Sequence, residues 1–255
     1  MSIFTGAGVA LVTPFKEDLS VDYDQLEKFI DFQIDNGTDS IIICGTSGEA
    51  STMSHDEQIE VVSACVSHVN GRIPVIAGAG ANCTDEALNL AKRSEKAGAD
   101  GLLVVTPYYN KATQKGLEEY YTTVGNSVDI PIIMYNVPGR TGLNISVDTV
   151  VELAKHKNIQ AMKDATDNIA YAMEVLAKTA DLDFDLYSGC DDNILPFMAA
   201  GGKGVISVTS NLYPEAVEKL TQLILKGNIK EAQPLAYALD PISRLLFIDV
   251  NPIMP

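Results

Sequence analysis

The chain alternates short apolar runs with longer amphipathic ones, and it does so eight times. The apolar runs are Val9–Val12, Ser40–Cys44, Pro74–Ala77, Gly101–Val105, Pro131–Tyr135, Ile159–Lys163, Phe184–Ser188 and Val205–Val208. Each is short and rich in Val and Ile, the pattern of strands buried on both faces of a parallel sheet. The intervening segments read as helices. Asp22–Asn36 carries Leu26, Phe29 and Ile30 at near-helical spacing, with Gly37 as a C-terminal stop. Ser54-x-x-Glu57 is a capping box opening a helix to about Val69. Thr84 opens another, with Asp85 and Glu86 where the helix dipole favours acids. Lys115–Asn126, Ser146–Lys155, Ile169–Thr179, Asp192–Ala200 and Pro214–Lys226 complete the set.

Eight strand–helix units in strict alternation predict a closed (β/α)8 barrel. An open dinucleotide-binding sheet would want a glycine-rich loop, and Gly78-Ala-Gly80-Ala-Asn-Cys83 ends in Cys where the last glycine belongs. The barrel is expected over residues 1–226. Beyond it, residues 227–255 read as a helical appendage in two stretches, Ile229–Leu239 and Pro241–Phe247, that looks cut short. The 255 residues carry a formal net charge of −16, which argues against nucleic-acid or anionic-membrane partners. No apolar stretch approaches the roughly 18 residues of a membrane span, and no signal peptide is evident. Cys44, Cys65, Cys83 and Cys190 are scattered without a metal-ligand spacing. A cytoplasmic protein with reduced thiols is expected.

In such a barrel the active site lies at the C-terminal ends of the strands. The residues expected there are Gly45-Thr46-Ser47-Gly48-Glu49, Tyr108-Tyr109-Asn110, Tyr135 followed by Arg140, Lys163-Asp164, Ser188-Gly189 and Ser207. Alternation along a strand puts Ile159, Ala161 and Lys163 on one face, expected to be the barrel interior. Desolvation disfavours an ammonium, and a neutral amine there attacks carbonyls to give a Schiff base. A snorkelling lysine, or one paired with Asp164, is the competing expectation. Tyr135 can move protons beside it, Thr46 and Ser47 can hold a carboxylate, and Arg140 can clamp another. Tyr135 as a plain core tyrosine and Arg140 as a surface arginine paired with an acid are the alternatives. The G-T-S-G-E stretch is not a serine-hydrolase elbow, since Glu49 stands where its second glycine belongs. His55, His68 and His156 fall on helices, away from the strand mouths, which disfavours a histidine-bound metal or a Ser-His-Asp triad. Gly201-Gly-Lys-Gly204 precedes the eighth strand and so belongs to the opposite, stability face.

Together G-T-S-G-E at 45–49, R-I-P-V-I-A-G at 72–78, V-T-P-Y-Y-N at 105–110, Y-N-V-P-G-R-T-G at 135–142, Lys163 and G-V-I-S-V at 204–208 resemble the pyruvate-dependent class I aldolases, and within them the dihydrodipicolinate synthase family. The resemblance runs from Phe4 to Ile253. It implies condensation of pyruvate with L-aspartate 4-semialdehyde on the diaminopimelate route to lysine, without metal or external cofactor. It implies a pyruvate Schiff base on Lys163 and a proton relay of Tyr135, Thr46 and Tyr109, the last entering from a neighbouring subunit of a homodimer or homotetramer. It also implies that Thr46 and Ser47 hold the pyruvate carboxylate and Arg140 that of the semialdehyde. Gly189 and Ile206 would offer backbone carbonyls. Ser51, His55, Asn82, Glu86 and Tyr108 match the family's inhibitory lysine site. Ala50 and Gln58 replace two of its usual residues, so weak or absent lysine inhibition is expected. Ser47 stands where the family usually has Thr, and the hydroxyl is kept. The competing functions are a sister enzyme, such as N-acetylneuraminate lyase or a 2-keto-3-deoxy sugar-acid aldolase, and a catalytically silent barrel that binds a metabolite. Arg140 with Tyr108-Tyr109 favours the synthase family.

Overall fold

A computed structural model describes residues 2–253. Eight parallel strands close into a barrel in sequence order, β1 (Gly6–Ala10), β2 (Ser40–Ile43), β3 (Val75–Gly78), β4 (Gly101–Val105), β5 (Ile132–Asn136), β6 (Ile159–Asp164), β7 (Asp185–Ser188) and β8 (Gly204–Ser207). Gly6 pairs with Gly204 and Gly8 with Ile206, which removes both sheet edges. The expected strands are all present. The first is displaced toward the N-terminus, because its ladder partners on β8 begin at Gly204.

The helices are α1 (Tyr23–Asp35), α2 (His55–Val69), α3 (Thr84–Lys96), α4 (Gln114–Gly125), a single turn α5 (Pro138–Thr141), α6 (Val147–Leu153), α7 (Ile169–Thr179), α8 (Ile194–Ala199), α9 (Pro214–Leu225) and α10 (Ile229–Leu245). Asp22 caps α1 by accepting from the backbone N–H of Gln25, and both halves of the Ser54/Glu57 capping box are formed on α2. Asn36, rather than Gly37, is the C-cap of α1, and Gly37 follows with φ +84°. The two expected terminal stretches are one helix, α10, with Pro234 and Pro241 inside it. Pro241 removes only the bond to the carbonyl of Tyr237, an exposed residue whose carbonyl water can serve. Short 3-10 turns at Ala50–Thr52, Asp191–Asn193 and Thr209–Asn211 shape the loops above the barrel.

Two apolar layers follow from strand alternation. Ile42, Ile76, Leu103, Ile133, Ala161 and Ile206 fill the barrel, while Ile41, Ile43, Leu102, Met134 and Met162 face the helices. Each of these Ile, Leu and Met side chains contributes about 1.5–3 kcal/mol relative to exposure. Phe4 stacks on Tyr187 at 4.3 Å between ring centroids and closes the bottom of the barrel. The Tyr187 hydroxyl donates to the Phe4 carbonyl at 2.7 Å. Gly201–Gly204 lies at this end, with the Lys203 carbonyl accepting from Gly6 N–H at 3.0 Å. Ile159 departs from expectation. It packs in the outer layer, because the β5–β6 ladder slips by one residue between Ile132/Ile159 and Ile133/Ala161. That slip, spent on Gln160, turns Ala161 and Lys163 inward.

Candidate active site

A cavity of about 360 Å³ opens at the C-terminal mouth of the barrel, and Lys163 stands in its wall. The β5–β6 register pairs Tyr135 with Lys163, so the two side chains point inward side by side. The Lys163 ammonium lies 4.3 Å from the centroid of the Tyr135 ring. Lys163 is only 5% exposed, so it does not snorkel. Nor does Asp164 pair with it. Alternation sends Asp164 to the other face, where it accepts from the Thr166 hydroxyl at 2.9 Å and from Asn136. Burial pushes the Asp164 carboxyl up to about 6 despite those hydrogen bonds.

Thr46 and Ser47 reach the same cavity from the loop after β2, Arg140 from α5 and Gly189 from the end of β7. Gly189 is required by space. A Cβ there would stand 2.8 Å from the Ala165 Cβ and 3.1 Å from the Lys163 Cε. Its N–H donates to the Asp164 carbonyl at 2.7 Å. Ile206 sits lower, fully buried in the interior layer. Tyr109 is not in the cavity. It is 90% exposed, on the loop after β4, with φ +69°.

A second cavity, of about 380 Å³, shares Gly45, Thr46, Leu103, Tyr135, Val137 and Arg140 with the first. Ser51, His55, Glu86 and Tyr108 line it, whereas Asn82 meets Asn110 through its carbonyl at 2.7 Å. His55 therefore does adjoin the strand mouths, contrary to its expected place on a distant helix. It opens α2, and the loop Gly45–Ser54 folds that helix end back over the barrel. His68 and His156 stay on the helical shell, beside Asp31 and Asn126. Gln58 is buried and donates to the Ala50 carbonyl at 2.8 Å, so both substituted positions are tied into the loop itself.

Several cavity residues went unnoticed in the sequence. Asp191 is buried at the mouth, where its carboxylate accepts from the Ser207 hydroxyl and from Val208 N–H at 2.9 Å and Thr209 N–H at 3.2 Å. Burial raises its carboxyl, and those donors and the nearby Lys163 charge oppose the rise. Cys190, beside it, is pushed up to about 12 by burial and by Asp192, Asp167 and Asp164, which makes it a poor nucleophile. Ser243, Arg244, Phe247 and Asn251 also line the cavity, so the segment expected to lie outside the barrel closes part of its mouth. Asn251 donates to the Ser47 hydroxyl at 2.8 Å, and its carbonyl accepts from Arg140 at 3.3 Å. The Asn251-Pro-Ile253 match was the one sequence signal for this role. Among the described residues no group of three His, Cys, Asp or Glu is arranged to hold a metal ion. No described helix is long and apolar enough to cross a membrane.

A closed (β/α)8 barrel with a desolvated lysine beside a tyrosine at its C-terminal mouth is the arrangement of a class I aldolase-type lyase. Comparison with known proteins narrows this class. The chain belongs to the Dihydrodipicolinate synthetase family, whose description matches residues 3–254. It is 52% identical over 254 residues to the 4-hydroxy-tetrahydrodipicolinate synthase of Lachnoclostridium phytofermentans, covering 99% of this chain and 86% of that protein. The crystal structure of dihydrodipicolinate synthase from Aquifex aeolicus superposes with a TM-score of 0.95 at 47% identity, covering 98% of this chain and 85% of that one. The chloride-inhibited enzyme from Acinetobacter baumannii, solved with pyruvate, gives 0.95 at 41% identity, with 98% and 85% covered.

Proposed function

We propose that the protein condenses pyruvate with L-aspartate 4-semialdehyde to give 4-hydroxy-tetrahydrodipicolinate, through a Schiff base on Lys163 and without an external cofactor. The observation that carries this is Lys163 itself, buried, unpaired with any described carboxylate and 4.3 Å from the Tyr135 ring. The Lys163 amine attacks the pyruvate ketone carbon, and loss of water leaves an iminium. That iminium is the electron sink: it takes up the electron pair when the pyruvate methyl loses a proton, giving an enamine. The enamine carbon then bonds to the aldehyde carbon, whose oxygen takes a proton, and the iminium is restored. The amine of the former semialdehyde, having lost a proton, attacks the iminium carbon, closing the ring and expelling the Lys163 amine. Tyr135 and the Thr46 hydroxyl carry protons in these steps. Thr46 and Ser47 hold the pyruvate carboxylate, and Arg140, free of any described ion pair, holds that of the semialdehyde. The Gly189 carbonyl and, from below, Ile206 border the reacting atoms.

Tyr109 completes the proton relay from a neighbouring copy in a homodimer or homotetramer. Its 90% exposure on the loop after β4, outside the lining of its own cavity, supports this. Ser51, His55, Glu86 and Tyr108, in the second cavity, would be where lysine acts, and Ala50 and Gln58 predict that it acts weakly. The test is borohydride reduction in the presence of pyruvate, followed by mass mapping. A pyruvate-derived adduct on Lys163, absent in Lys163→Ala, is expected. Beside it, turnover is measured with the semialdehyde and with sialic acid. Turnover of the sugar alone would overturn the assignment in favour of a sister aldolase, and no adduct would overturn the Schiff-base mechanism.

A further inference from the structure

Ser47 is held in the cavity wall by a residue far away in sequence. Its loop is fixed by backbone bonds: Glu49 N–H donates to the Thr46 carbonyl at 3.1 Å, and the Gly48 carbonyl accepts from the Thr13 hydroxyl at 2.7 Å. Neither bond orients the Ser47 side chain. That residue is 2% exposed, and the Asn251 amide donates to its Oγ at 2.8 Å. An amide nitrogen only donates, so this bond fills a lone pair of the hydroxyl and leaves the hydroxyl's own proton unspent. Among the described residues none accepts that proton. The Ser47 O–H is thus kept as a donor at the wall of the cavity.

Asn251 owes its place to α10. Ser243 on that helix pairs with the Thr209 hydroxyl at 2.9 Å in a buried contact, and Leu246, just beyond it, packs with the interior layer of the barrel. The chain then returns to the cavity, where Asn251 is itself buried. Its two bonds come from different parts of the residue. The side chain serves Ser47, whereas the backbone carbonyl accepts from Arg140 at 3.3 Å. A side-chain substitution therefore alters the first bond and leaves the second. The direction of the first bond decides what Ser47 can do. An acceptor at this place would take the hydroxyl proton and turn it away from the cavity.

We propose that Asn251 is a positioning residue for pyruvate: by donating to Ser47 Oγ, its amide aims the Ser47 O–H at the pyruvate carboxylate. This rests on the reaction assigned above and names a residue that acts through Ser47. Asn251→Asp keeps the side-chain shape but reverses the bond, since a carboxylate accepts from Ser47. It should lower kcat/KM for pyruvate about ten- to hundredfold, the strength of one hydrogen bond to a charged group. Asn251→Ala leaves the hydroxyl free to turn, still as a donor, and should cost only about two- to tenfold. In both variants kcat/KM for the semialdehyde should stay within about twofold, because Arg140 keeps its carbonyl partner. In a Ser47→Ala background there is no hydroxyl to aim, so the loss from either substitution should shrink at least about threefold. Equal losses for the two substrates, or a greater loss in Asn251→Ala than in Asn251→Asp, would mean that the segment matters only for packing, and would overturn the proposal. So would an unchanged kcat/KM for pyruvate in Asn251→Asp. If a thermal melt shows Asn251→Asp unfolded, Asn251→Ala with and without Ser47→Ala decides: non-additive losses support the proposal and additive losses overturn it. Each of these results, with the pyruvate adduct still formed on Lys163, bears on this inference alone. Failure of the unsubstituted protein to form that adduct brings down the reaction assignment, and this inference with it.

Discussion

Gly189→Ala is the sharpest probe of how the barrel mouth holds Lys163. The added methyl would lie 2.8 Å from the Ala165 Cβ, 3.1 Å from the Asp164 carbonyl oxygen and 3.1 Å from the Lys163 Cε. Carbon atoms at rest sit about 3.5–4.0 Å apart, so the contact with Ala165 is short by roughly 1 Å. Relief requires the β6 and β7 ends to separate, or the lysine to move. Overpacking of this kind costs about 1–3 kcal/mol. The catalytic penalty should be larger, because displacing a reacting group by about 1 Å costs on the order of a hundredfold. The assay is the rate of borohydride trapping with pyruvate, run beside kcat/KM and a thermal melt. Gly139→Ala is the control: a Cβ there meets nothing within 4 Å, and the position is helical, so stability and rate should hold or improve slightly. A Gly189→Ala protein that traps pyruvate at the unsubstituted rate would refute the claim that this glycine spaces the lysine.

Other outcomes follow from the same structure. Because burial lifts the Asp164 carboxyl to about 6 from 3.8, the folded state holds a proton that the unfolded chain has released between those values. Stability should therefore fall by roughly 3 kcal/mol as pH rises through that window and level off above it. Asp164→Asn should lose this slope in urea unfolding at pH 4 to 8, and parallel curves for the two proteins would contradict it. Tyr187→Phe deletes the hydrogen bond to the Phe4 carbonyl and should cost about 1–2 kcal/mol in denaturant melts, with little effect on kcat. Ser54→Ala should lower stability by about 1 kcal/mol, because the Glu57 N–H loses its hydroxyl acceptor while the backbone N–H of residue 54 keeps its bond to the Glu57 carboxylate.

Much of this molecule can be read from local pattern. Strand alternation and helix caps act over a few residues, so the eight apolar runs, the Ser54 capping box and the inward place of Tyr135 are visible without a fold. Lys163 was found the same way, as a charge at the end of an apolar run. Its stated companion Ile159 was misplaced, because a one-residue slip in pairing depends on the neighbouring strand and leaves no mark in its own sequence. The acids around the lysine were missed for a related reason. Asp167 and Asp191 stand in polar segments that look like ordinary solvated turns, and Asp192 reads only as the first residue of a helix. Asp191 becomes a buried carboxylate only because β8 brings the Ser207 hydroxyl and two backbone N–H groups to it.

The sequence by itself determined the alternation of elements, the closure into eight units and the lysine at the C-terminal mouth, since each follows from period and chain order. The tertiary structure alone decided which loops share one cavity. Closure of the barrel sets residues as far apart in sequence as Ser47 and Asn251 within 2.8 Å. It also turned the C-terminal segment from an appendage into part of the wall. Contacts of that kind depend on where elements pack rather than on any local preference, so only the folded chain reveals them.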